Sequence, residues 1–88
     1  MNNYWTRIDR IKLNGIQLLL KYSIDEYKNA KPNTDEKDSW YNTKEKLAQI
    51  QRNQFYTEEE KKFLNTIRDL YYLSKWKKKY NIKYEDIL

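Results

Sequence analysis

The chain has 88 residues, a net charge of +5 and 35% charged residues, enough for one domain with one modest core over 1–88. It contains neither cysteine nor histidine, which removes disulfides, thiolate chemistry, the usual general base near neutral pH, the standard triads and most zinc or transition-metal sites. One glycine and one proline leave little chemistry for hairpin turns, so the expected fold is all-α: a small three-helix bundle with a long first helix, a short edge helix, a basic third helix and a short C-terminal helical turn.

At about 100° per residue, Tyr4, Ile8, Ile11, Gly15, Leu18, Leu19 and Tyr22 form one stripe of a helix over residues 4 to 27. Trp5, Ile16, Leu20 and Tyr27 widen it until apolar residues cover more than half the circumference. A helix this apolar needs cover on two sides, from the rest of the fold or from another molecule. The stripe keeps its phase across Asn14-Gly15, so one continuous helix is expected, with Gly15 admitting a close neighbour. The polar ribbon left over contains Arg7, Arg10, Lys21 and Lys28, a second candidate surface whose simpler reading is a solvated helix face.

Pro32 disfavours helix at Lys31, so the first helix should stop near Asn29. Residues 31–39 contain no apolar side chain and read as an exposed loop, with Asp38 or Ser39 capping a second helix. Trp40, Leu47 and Ile50 would face inward, with Tyr41, Ala48 and Phe55 alongside. Thr57-Glu58-Glu59-Glu60 is a capping box that starts the third helix. That helix is expected to run through Lys75–Tyr80 towards a left-handed stop at Asn81, after which Ile82 clasps it and a turn from Tyr84 to Leu88 folds back over the core.

Charge is uneven: the excess is +2 over residues 1–30, −2 over 31–60 and +5 over 61–88. Within the basic third helix, Tyr72, Lys75, Trp76, Lys79, Tyr80 and Lys83 form the candidate partner-binding patch, aromatic anchors ringed by lysines. The competing structural reading buries Trp76 and Tyr80 under Ile82, Ile87 and Leu88. The patch would also suit nucleic acid, by stacking and phosphate contact, but it contains no arginine to read base edges. A helix-turn-helix is disfavoured because the last element is too short to serve as a reading helix. Lys, Asn, Tyr and Ile supply 40 of the 88 residues, a bias towards A/T-rich codons that would raise the lysine count by itself.

With no catalytic pattern, no cofactor motif and no metal-ligand spacing, a non-enzymatic role is expected, and no apolar run is long enough to span a membrane. No signal-peptide pattern occurs at the N-terminus, and the expected setting is the cytoplasm of a bacterial host. The expected function is to bind a protein partner, or a nucleoprotein complex, and block or redirect it. Size and composition suggest a phage or plasmid gene, for example an inhibitor of the anti-CRISPR type. The alternatives are a non-specific nucleic-acid accessory protein, and a bacteriocin-immunity type of bundle or a self-assembling dimer.

Overall fold

The structure, a computed structural model, describes residues 5–87. It is mostly helical: α1 spans Arg10–Asn29, α2 Asp35–Arg52 and α3 Glu58–Leu73. Two short strands, β1 (Trp5–Arg7) and β2 (Phe55–Thr57), pair antiparallel, and a 3-10 turn covers Tyr84–Asp86. The ribbon departs from the all-α expectation. Its three-residue strands are too short to leave a period in the sequence.

The same ribbon explains why α1 starts later than its apolar stripe suggests. Asp9 is the N-cap, its carboxylate accepting the Lys12 N–H at 2.9 Å, and the residues before it are extended. Trp5 therefore lies on a strand, while Tyr4 falls outside the described residues. At the other end α1 stops at Asn29, as Pro32 requires. The helix continues through Gly15, where an added Cβ would sit 2.7 Å from Asp86 Cβ and 2.9 Å from Ile87 Cδ1. Glycine there permits the close approach expected from the sequence, and the neighbour is the C-terminal segment.

α2 begins earlier than expected, because Thr34 rather than Asp38 or Ser39 is its cap. The Thr34 hydroxyl accepts the Lys37 N–H at 3.2 Å, and Asp35, Glu36 and Asp38 occupy the first turn, where the helix dipole favours acids. With 18 residues α2 is not short. Leu47 and Ile50 face inward as expected, and Trp40 lies edge-on to Tyr22 at 5.5 Å.

The core joins Ile16, Leu19 and Tyr22 of α1 to Leu47 and Ile50 of α2 and to Leu64, Ile67 and Tyr71 of α3. Tyr56 of β2 and Ile82 and Ile87 of the C-terminal segment belong to the same cluster, Ile87 lying against α1 at Gly15. The wide apolar arc of α1 is thus covered largely from within the chain. Burial and the nearby Glu26 push the Tyr22 hydroxyl up to about 12. Among the described residues, no helix is long and apolar enough to cross a membrane.

Candidate functional site

α3 starts at the capping box, where Thr57 Oγ1 accepts the Glu60 N–H at 3.1 Å and the Glu60 carboxylate accepts the Thr57 N–H at 2.9 Å. It ends at Leu73, well short of Tyr80. Ser74 stops it: its hydroxyl donates to the Tyr71 carbonyl at 2.6 Å and accepts the Trp76 N–H at 3.1 Å. A serine that binds local backbone in this way competes with the helical ladder. The expected helical face of lysines and aromatics therefore does not exist as a helix; residues 75–80 form a turn.

That turn lies against α1. Trp76 Nε1 donates to Glu26 Oε1 at 2.5 Å, Tyr80 Oη donates to Asp25 Oδ2 at 2.5 Å, and Lys79 Nζ lies 3.0 Å from the same oxygen. Partial burial raises the Asp25 carboxyl, but the hydrogen bonds from Tyr80 and Lys79, with the charges of Lys79 and Lys28, outweigh it and leave the group below its ordinary range. The Lys79 ammonium is held above its ordinary value, chiefly by its hydrogen bond to Asp25. Burial, then the bond to Asp25, raises the Tyr80 hydroxyl.

Tyr72 is half-buried as well. Its hydroxyl donates to the Ile82 carbonyl, and its ring stacks on Tyr84 at 5.2 Å. Burial and then Tyr84 push its hydroxyl upward. The polar atoms of Tyr72, Trp76 and Tyr80 are all engaged within the chain, each ring keeping part of its surface in solvent. Lys75 covers the Trp76 ring at 4.9 Å, and Lys83 is exposed. The most exposed apolar side chain in this region is instead Leu73, at 87%.

The second candidate surface is divided. Arg10, Lys21 and Lys28 share one exposed face of α1, but Arg7 belongs to β1. There it joins residues that the helical reading had assigned elsewhere. The register pairs Trp5 with Thr57, Thr6 with Tyr56 and Arg7 with Phe55. Thr6 and Tyr56 turn towards the core, and alternation sends Trp5, Arg7, Phe55 and Thr57 to the opposite face. Trp5 is 64% exposed and Phe55 42%. Both line a hollow of about 390 Å³ with Asn53 and Gln54.

The only local signal for this ribbon was the run of β-favouring residues in Trp5-Thr6 and Phe55-Tyr56-Thr57. Arg68 had no sequence signal at all. It is 6% exposed beneath the Tyr84 ring, 4.2 Å away, and its Nε and Nη1 have no hydrogen-bond partner among the described residues. No family model, no curated protein and no solved structure matches the chain.

Proposed function

We propose that the chain is a small non-enzymatic binding protein that blocks or redirects a protein partner, docking it on the outer face of the β1–β2 ribbon. The observation that carries this is the grouping of Trp5, Arg7 and Phe55 on one exposed face beside a hollow of about 390 Å³. Trp and Arg are among the residues that dominate binding energy once a partner excludes water from them. An open hollow flanked by two rings, with Arg7 paired to Phe55 on the same face, can seat one side chain of a partner.

The tail contributes differently. Lys75, Lys77, Lys78 and Lys83 are exposed, and their field favours a partner with an acidic face by speeding encounter. Contacts by Tyr72, Trp76, Lys79 and Tyr80 fall within that same basic segment. Compact size, A/T-rich composition and the lack of a catalytic pattern are what support a phage or plasmid origin, with inhibition of a host defence nuclease, anti-CRISPR in type, as the role within it. Nucleic-acid binding is the second reading, favoured by the exposed lysines. It is weakened by the engagement of Trp76 and Tyr80 with two carboxylates, which sets negative charge beside the rings that would stack on bases.

Affinity capture from nuclease-treated lysate of the source cells tests the proposal. The wild-type chain should retain a partner, and Trp5→Ala should weaken that capture at least about tenfold, the scale of a hot-spot truncation, with helicity unchanged. Retention at wild-type strength by Trp5→Ala sinks the ribbon as the docking face. Complete loss of capture on nuclease treatment transfers the role to nucleic acid.

A further inference from the structure

The ribbon has two strands and hence two edges, neither of which is paired among the described residues. The Ile8 N–H donates to the Gln54 carbonyl at 3.0 Å, and this bond sets the phase of the ladder. Antiparallel pairs alternate between those that exchange hydrogen bonds and those that do not. Thr6–Tyr56 is therefore an exchanging pair, and Trp5–Thr57 and Arg7–Phe55 are not. Trp5 and Arg7 consequently turn their N–H and C=O groups to the open edge of β1. Neither proline nor a bulge protects that edge.

We propose that a second copy of this chain occupies it, β1 against β1, antiparallel about a two-fold axis through Thr6, to form one four-stranded sheet in the order β2-β1-β1-β2. The geometry is self-complementary. Trp5 exchanges both of its outward hydrogen bonds with Arg7 of the second copy, Arg7 does the same with Trp5 of the second copy, and the two Thr6 residues form the non-exchanging pair between them. The alternation required by the outer ladder is the one that the inner ladder leaves available.

Side chains agree with this register. On the outer face each Trp5 ring comes beside the Arg7 guanidinium of the second copy, a cation–π pair made twice by symmetry. The strand ends agree as well. Trp5 pairs with Thr57, the residue before Glu58, Glu59 and Glu60, so the acidic start of α3 falls at the end where the second copy brings Arg7 and Arg10. An unrelated extended peptide would satisfy the backbone but would supply neither match. Edge pairing engages the outward rims of Trp5 and Arg7 and sets the outer faces of both copies side by side on one sheet. The mass and cross-linking measurements read the seam without any captured partner.

The mass of the full-length chain in solution tests the seam. Light scattering at high concentration should return twice the monomer mass of 11.0 kDa, and Arg7→Glu should return the monomer with an unchanged helical spectrum. Because the chain has no cysteine, Thr6→Cys introduces a single thiol at the two-fold axis. There the paired Cα atoms would be about 4.5 Å apart, within disulfide reach. In Arg7→Cys the same atoms would be about 8 Å apart, beyond it. Mild oxidation should therefore cross-link Thr6→Cys at least about tenfold faster than Arg7→Cys. A wild-type chain at monomer mass overturns the proposal. So does a dimer in which Thr6→Cys links no faster than Arg7→Cys, since its seam lies elsewhere.

Discussion

Tyr71 acts at two levels. Its ring is fully buried and meets Tyr22 edge-on at 5.3 Å. Its hydroxyl accepts the N–H groups of Tyr80 and Asn81, each at 3.1 Å, and this has no sequence signal because the donors lie nine and ten residues further on in a segment outside the helix. Asn81 takes the left-handed conformation, φ 52°, expected of it, but it ends the tail turn and not α3. Tyr71→Phe keeps the ring and strips the acceptor from two donors, a loss of about 1–3 kcal/mol. The melting temperature should fall and the amides of Tyr80 and Asn81 should exchange faster, while helicity is retained. An unchanged melting temperature would show that the hydroxyl does not hold the turn.

Among the elements, the C-terminal tail depends most on contacts distant in sequence. It is fastened to α1 by Asp25 and Glu26 through Tyr80, Lys79 and Trp76. Asp25 titrates below its ordinary range in the folded chain, so the unfolded chain binds the proton first as pH falls. The fastening is complete above the usual carboxylate value, about pH 4, and is lost as pH drops through the lowered folded value. Trp76 fluorescence should report release of the tail in acid before the helices melt. Asp25→Asn should remove the part of that transition due to Asp25 and make the tail's protection from exchange less dependent on acid. A single acid transition, identical in the variant, would mean that the tail and the helices unfold as one unit.

For the molecule as a whole, closure depends on Gly15. The tail brings Asp86 and Ile87 close against α1 because nothing projects from that position: a Cβ would meet Asp86 Cβ at 2.7 Å and its carbonyl oxygen at 2.8 Å. Alanine gains up to about 1 kcal/mol of helix propensity at an interior position, whereas overpacking against backbone costs about 1–3 kcal/mol. Gly15→Ala should therefore lower the melting temperature and loosen residues 82–87, as read by thermal denaturation and amide exchange. A more stable variant would show that the tail yields at little cost.

Several local signals were legible from the sequence alone, although the Thr34 cap of α2 was not. The capping box at Thr57, the stop before Pro32, the inward Leu47 and Ile50, and the close approach at Gly15 all arise from local chemistry or helical period. What only the tertiary structure decided was the start of α1 at Asp9, the pairing of β1 with β2, the end of α3 at Ser74 and the engagement of Trp76 and Tyr80 by Asp25 and Glu26. Each of these depends on groups far apart in sequence, or on competition between a side chain and the helical ladder. Three-residue strands carry no measurable period, and a serine after a strongly helical run does not announce whether it will yield to the helix or end it. For that reason the exposed rings lie on a ribbon that the helical pattern concealed, and the rings that the pattern placed outside are partly drawn in.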